Sequence, residues 1–231
     1  MLIGIDASRA LRAKRTGTER YALEIIRHLL CLPTATQHQW RLYVDATPPP
    51  DLFAKPTPGV DQTNVELVVL PRRRLWTHCA LAREVVTRRP DVLFIPAHVL
   101  PFVLPVSRLP ASVVTIHDLG YHYFPAAHTR LQRFYLEAST RWSAAAATSL
   151  IAVSGATAQD LTCFYATSAQ KIQVVHEAHT KASLQPLPTD RTFAGQAFQR
   201  PYALYVGTIQ PRKNLARLIE AYTKLHEAIT L

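Results

Sequence analysis

The sequence predicts an α/β fold in which helices cover both faces of a mostly parallel β-sheet. Short runs rich in β-branched residues alternate along the chain with longer stretches of helical periodicity, as in βαβ units. Apolar residues make up 48% of the chain and charged residues 18%, so it can bury a hydrophobic core. With about 150 residues per domain, the 231 residues allow one large domain or one and a half.

Seven strands are predicted before residue 176, each a short apolar run that a longer connection separates from the next. The first of them begins at once, with the run Leu2-Ile3-Gly4-Ile5. Together the predicted strands cover residues 2–6, 41–44, 65–70, 92–95, 113–116, 150–153 and 172–175.

Helices are predicted between these strands. Thr16 and Glu19 stand at capping-box spacing, and apolar side chains then recur every four residues, so the first helix should begin near Gly17. Ser154 is the expected N-cap of a later helix. The remaining helical patterns cover residues 75–89, 129–147 and 154–165.

The composition changes after residue 177. Residues 178–200 are polar, contain Pro186 and Pro188, and show no clear period, which is typical of a linker. Regular patterns return with a predicted strand at 202–206, a turn at 207–213 and a helix at 214–227. One strand and one helix cannot enclose a core. The sequence therefore predicts a domain at 1–177, a linker at 178–200, and the truncated start of a second domain at 201–231.

The charge balance favours anionic partners. A net charge of +10 suits nucleotide phosphates or an acidic membrane face, whereas no nucleic-acid-binding motif accompanies the basic residues. Three widely spaced cysteines argue against a disulfide framework and favour the cytoplasm. No signal-peptide pattern or membrane-spanning run is expected.

Three places could carry chemistry, since ligands of open α/β sheets bind beyond the carboxyl ends of the strands. Thr16-Gly17 opens a helix and suits either an anion or a plain cap. His117-Asp118 ends an apolar strand, so the imidazole could exchange a proton or bind a sugar hydroxyl, and Asp118 could orient it or cap the next turn. Gly207, Arg212 and Lys213 lie in a basic turn before a helix, where a diphosphate could sit.

Several of these segments resemble family 4 glycosyltransferases. Residues 116–120, IHDLG, followed by the Phe-Pro pair at 124–125, are similar to the family's histidine–aspartate segment. Residues 205–214, YVGTIQPRKN, resemble the opening of its donor-binding domain, and segments 151–154 and 171–175 also match family patterns. The resemblance covers nearly the whole chain. It implies the two-domain GT-B fold, with a Rossmann-like N-terminal domain and an incomplete second Rossmann-like domain.

The resemblance also implies roles for individual residues. His117, with Asp118 beside it, would lie near the transferred sugar. Arg212 and Lys213, in the loop that Gly207 opens, would bind the donor diphosphate. The Thr16-Gly17 loop would approach the donor phosphates or the acceptor. Members of this family are expected to retain the anomeric configuration and to need no bound metal or other cofactor, because basic residues stabilise the leaving diphosphate.

The chain departs from the family pattern at three points. Thr208 stands where relatives carry arginine, and the glutamate pair of the donor domain is absent. Segment 176–179, HEAH, replaces a run of proline, asparagine or glutamate, and glycine. That segment is one residue short of the helical HExxH zinc motif, so no metal site is predicted.

The leading hypothesis is transfer of a sugar, with mannose as a candidate, from a nucleotide-diphosphate sugar to a glycan or lipid-linked acceptor in polysaccharide biosynthesis. As a fragment without most of its donor domain, the chain is expected to be weak or inactive. The alternative is a non-catalytic module that binds acceptor, a partner chain or, through the basic region 72–89, an anionic membrane at the inner face. A flavodoxin-like regulatory domain is disfavoured, because such domains seldom carry a linker and a second βα start.

Overall fold

The computed structural model describes residues 1–53, 63–71, 74–97, 99–179, 192–193, 196–197, 204–207 and 209–230. For residues 192–193, 196–197, 212 and 226–230 it describes the backbone alone. The chain divides into two compact units, Met1–Glu177 and Ala178–Leu231.

The first unit is built on a seven-stranded sheet in which every strand pair is parallel. Its order, β3-β2-β1-β4-β5-β6-β7, reverses direction between β1 and β4, as in a doubly wound Rossmann-like sheet. The predicted α/β class is therefore confirmed. The strands are β1 Leu2–Asp6, β2 Gln39–Val44, β3 Val65–Val69, β4 Val92–Ile95, β5 Ala111–Ile116, β6 Ser149–Ala152 and β7 Ile172–Val174.

Helices connect these strands, and α1, α4 and α5 begin within one residue of their predicted starts. Thr16 and Glu19 form the predicted capping box, and Ser154 accepts a hydrogen bond from the Thr157 amide at 3.1 Å as the predicted N-cap. The helices of this unit are α1 Gly17–Leu30, α2 Ala82–Thr87, α3 Gly120–Tyr123, α4 Arg130–Ala146 and α5 Gly155–Tyr165.

The helix predicted at 75–89 is shorter and less regular than expected. It consists of a π-helical turn at Thr77–Leu81 followed by α2, and Leu75 has a left-handed backbone with φ of 58°. Trp76 is only 8% exposed, and its indole N–H donates to the Leu70 carbonyl at 2.9 Å. Because Trp76 is buried, its side chain is not part of the membrane-binding surface predicted for residues 72–89. Residues 72 and 73 lie outside the described residues.

Two hydrophobic clusters lie on opposite faces of the sheet. Side chains of α1, such as Leu23 and Ile26, pack with Ile5 on one face. On the other face Leu81, which precedes α2, and Leu161 of α5 join the cluster of β4, β5 and β6 side chains. Because both faces are covered, the carboxyl ends of the strands are the edge at which polar groups of this unit can meet a ligand.

The second unit is described in pieces. Thr192–Phe193 (β8) and Gln196–Ala197 (β9) form a short antiparallel ladder within the predicted linker. A strand predicted at 202–206 is wrong over Leu204–Val206, which form none, and residues 202 and 203 lie outside the described residues. The last predicted helix is present as α6, Leu215–Thr230.

No helix in the described part of the chain has both the length and the apolar character that crossing a membrane requires.

Candidate active site

Strand β5 places His117 at the carboxyl edge of the sheet. Val114, Thr115 and Ile116 are fully buried, whereas the side chain of His117, one residue further on, retains 9% of its exposure. The Thr157 hydroxyl of α5 donates to the His117 carbonyl at 3.2 Å. The backbone at this position is therefore anchored to the helix that follows β6.

The His117 ring contacts an acceptor oxygen at each nitrogen. Nε2–H donates to the carbonyl oxygen of Pro96, which follows β4, at 2.9 Å. Nδ1 lies 2.8 Å from Oε1 of Glu177, which follows β7. A neutral ring can donate at only one nitrogen and a protonated ring at both. Nε2–H is bonded to a backbone carbonyl, whereas the partner of Nδ1 is the side chain of Glu177. Nδ1 is therefore the nitrogen at which another group could replace the present partner.

Tyr21 of α1 packs against the same ring. The two ring centroids are 4.8 Å apart and nearly perpendicular, at 86°. The Tyr21 hydroxyl lies 3.4 Å from the Thr115 hydroxyl, which links α1 to β5. Burial is the main reason why the pKa of Tyr21 is raised. These contacts fix the plane of the imidazole, which is what a group that positions a ligand requires.

Asp118 caps the next turn. Its Oδ1 accepts the Gly120 amide at 3.0 Å, and the residue is exposed. Of the two roles that the sequence leaves open, orienting the histidine or capping the turn, this hydrogen bond corresponds to the cap. The carboxylate beside His117 Nδ1 is that of Glu177. A catalytic role for Asp118 stays a prediction.

Glu177 is the residue that sequence reasoning missed. It stands in segment 176–179, which departs from the expected family pattern, and that departure was its one sequence signal. Its side chain is 46% exposed, so solvent reaches the carboxylate that contacts the histidine. The neighbouring His176 directs Nδ1 to the Val153 carbonyl at 3.3 Å. Among the described residues, no group of three metal-ligating side chains occurs.

The Thr16-Gly17 turn is a capping box. The Thr16 amide donates to Oε2 of Glu19 at 3.0 Å, and the Thr16 hydroxyl also contacts that oxygen. Burial opposes ionisation of Glu19, yet the hydrogen bonds from Thr16 and the charge of Arg9 outweigh it and lower the pKa. One carboxylate of the chain thus already occupies this helix start. Phosphate binding by Thr16 and Gly17 stays a prediction.

The basic turn of the second unit contains a short 3₁₀ helix, Pro211–Lys213, ended by Asn214 with a left-handed φ of 51°. A Cβ at Gly207 would lie 2.7 Å from the Tyr205 hydroxyl, which is the tip of an exposed side chain. Lys213 is exposed. The side chain of Arg212 and residue 208 lie outside the described residues, and diphosphate binding by Gly207, Arg212 and Lys213 stays a prediction.

The buried carboxylate of Asp6 ends β1, at the carboxyl edge of the first unit's sheet. The amide and hydroxyl of Ser8 both donate to Oδ1 of Asp6, at 3.0 and 2.6 Å. Burial raises the pKa of Asp6, and the charge of Asp45 raises it further, against the opposing effects of Ser8 and Arg9. The ionised form of Asp6 is therefore less favourable in the folded chain than in the unfolded chain.

We expect Asp6→Asn to gain stability relative to the wild type as the pH rises. The folded pKa exceeds the ordinary 3.8, so wild-type stability falls between 3.8 and the raised folded value. Asparagine does not ionise and can still accept from Ser8. Urea unfolding of both proteins at about pH 4 and pH 7 measures the effect. A stability difference that is the same at both pH values would contradict the expectation.

Comparison with known proteins decides the family. The model of the family described as Glycosyltransferase Family 4 matches residues 15–178, which include strands β2 to β7 and both His117 and Glu177. The chain belongs to glycosyltransferase family 4. The predicted Rossmann-like, GT-B type of its first unit agrees with this membership and with the parallel sheet.

Curated and solved relatives of this family 4 chain are longer than it is. O-antigen chain mannosyltransferase B of Escherichia coli is 30% identical over 127 residues, which cover 54% of this chain and 33% of that protein. Two crystal structures of HepE from Anabaena, one with UDP-glucose and one with UDP and glucose, give TM-scores of 0.44 at 14% identity. Each alignment covers 76% of this chain and 43% of HepE. The chain thus spans about a third of the curated relative.

Proposed function

We propose that this chain forms the acceptor-side part of an enzyme that transfers a sugar from a nucleotide-diphosphate sugar to a glycan or lipid-linked acceptor. The observation that carries the proposal is the fixed imidazole of His117 at the carboxyl end of β5, between Pro96, Glu177 and Tyr21. Membership of glycosyltransferase family 4 supports it.

His117 is suited to hold the transferred sugar. The Pro96 carbonyl orients the ring, and Tyr21 fixes its plane. A sugar hydroxyl that replaces the Glu177 carboxylate at Nδ1 would find a partner already in position, so little ordering is needed on binding. Glu177, 46% exposed, would then be available to accept a second hydroxyl of the same sugar.

Mannose is the sugar that we favour, because the relative that matches at 30% identity is named a mannosyltransferase. Lys213, with Arg212, would bind the diphosphate of the donor, as basic residues do where no metal neutralises the charge. Three free cysteines suit a reducing compartment, so we place the reaction in the cytoplasm. The proposal includes peripheral contact with an anionic membrane only because a lipid-linked acceptor would lie in one.

Calorimetric titration tests which nucleotide sugar the protein binds. We expect GDP-mannose to bind the complete gene product more tightly than UDP-glucose does. Lys213→Gln should weaken GDP-mannose binding by about tenfold, since one charge-assisted contact is lost. Exposed Lys224→Gln, on α6, is the matched control and should change nothing.

Two results would contradict the proposal. Equal affinity for GDP-mannose and UDP-glucose would contradict mannose as the transferred sugar. No binding of any nucleotide sugar to the complete gene product would favour the non-catalytic module instead.

A further inference from the structure

A second cleft opens at the carboxyl ends of β1 and β2, on the side of β1 away from His117. Its volume is about 540 Å³, and its wall includes Ser8, Arg9, Arg12, Asp45, Arg74 and Thr77. We call it the arginine cleft. Its volume lies within the range of small-molecule sites, and its position is the edge at which such sheets bind ligands.

The charges of the arginine cleft are mainly positive. Among the described residues that line it, three are arginines and one, Asp45, is acidic. Arg12 donates to Asp45 at 2.9 Å, and the side chain of Asp45 is only 4% exposed, so this pair is held rigidly. The shortest ion pair of Arg9 is a 3.8 Å contact with Glu19, and half of its side chain is exposed. Because Glu19 partly neutralises Arg9, the excess of positive charge is small, but it still suits an anionic ligand.

The backbone beside the arginine cleft is irregular. Leu75, next to Arg74, has a φ of 58°, a conformation that is rare for residues other than glycine. A π-helical turn follows from Thr77, and such turns are frequent at functional sites. The buried indole of Trp76 anchors the segment between these two features. Strain that is retained at a cleft wall is typical of residues that position a ligand.

We propose that the arginine cleft binds a phosphate or diphosphate group of the acceptor. Guanidinium groups bind phosphate oxygens in pairs, and Arg9 and Arg74 line the same cleft as Arg12. The identification of the ligand as the acceptor rests on the proposed function, whereas the binding of phosphate does not.

Calorimetric titration with inorganic pyrophosphate tests the cleft directly. All proteins carry Lys213→Gln, so that the predicted donor site does not contribute. We expect Arg9→Gln and Arg74→Gln each to weaken binding by about tenfold, because each removes a charge-assisted contact. Arg108→Gln, an exposed arginine outside the cleft, is the control and should alter the affinity less than about twofold. Arg12 is left unchanged because its loss would leave buried Asp45 unpaired.

Further arms identify the source of the phosphate. Tighter binding of geranyl diphosphate than of pyrophosphate would support a lipid-linked acceptor, and tighter binding of mannose 1-phosphate a soluble one. The proposal would be overturned if Arg9→Gln and Arg74→Gln bound pyrophosphate as tightly as the Arg108→Gln control does. It would also be overturned if no binding were seen at millimolar pyrophosphate. No nucleotide sugar is used in this experiment. Phosphate binding in the arginine cleft can therefore fail while the proposed transferase function stands, and the transferase function can fail while phosphate binding stands.

Discussion

Replacing His117 with glutamine is expected to slow sugar transfer by the complete gene product by about 100-fold. Glutamine is close to histidine in size and polarity, but its flexible amide cannot keep both the Pro96 contact and a fixed group toward the sugar. The loss should appear mainly in kcat, because the contact matters most when charge develops on the sugar. Initial rates with GDP-mannose and a lipid-linked acceptor measure it.

His128→Gln is the matched control for this variant. His128 is exposed and lies in the same connection, eleven positions beyond His117 in the sequence. We expect its rate to stay within about twofold of the wild type, since surface substitutions away from a site have small effects. If both variants lost activity equally, or if His117→Gln were as fast as wild type with an unchanged urea midpoint, the role proposed for His117 would be wrong.

Ile116→Ala is expected to lower the free energy of unfolding by about 3 kcal/mol. Ile116 is fully buried, immediately precedes His117, and belongs to the cluster that also contains Val114 and Leu150. Truncation to alanine leaves a cavity that strands fixed by pairing on both sides cannot collapse to fill. Urea unfolding monitored by circular dichroism measures the change.

The control for this stability effect is Val69→Ala in the edge strand β3. Val69 is 41% exposed, so we expect a loss well under about 1 kcal/mol. A loss for Ile116→Ala as small as that of the control would show that β5 is not the packed centre of this sheet.

The strands could be predicted from the sequence because each is a local pattern. The strands β1 and β4 have the predicted bounds, and β2 and β5 begin two residues earlier than predicted, where pairing with a neighbour extends them. The ends of β3, β6 and β7 lie one residue before their predicted positions. Gln39 and Ala111 are polar or small, yet each pairs with a residue of the adjacent strand. The pairing register of these two residues depends on the neighbouring strand, so it cannot be predicted from a local sequence pattern.

The partner of His117 could not be predicted in the same way. Glu177 is 60 residues away in the sequence and reaches the imidazole because β6 pairs with both β5 and β7. Local periodicity indicates that strands exist but not their order. Asp118, adjacent in the sequence, was the natural candidate, and the structure directs it to Gly120. The irregular turn before α2 was hidden for a similar reason, since burial of Trp76 depends on Leu70.

The most direct test of the central claim is mass spectrometry of the acceptor after incubation with GDP-mannose and the complete gene product. We predict that a lipid-linked or mannoside acceptor gains the mass of one hexose with wild-type protein, and much more slowly with His117→Gln. An acceptor of unchanged mass with every nucleotide sugar offered, from folded protein that binds the donor, would contradict the claim that this family 4 chain belongs to a sugar transferase.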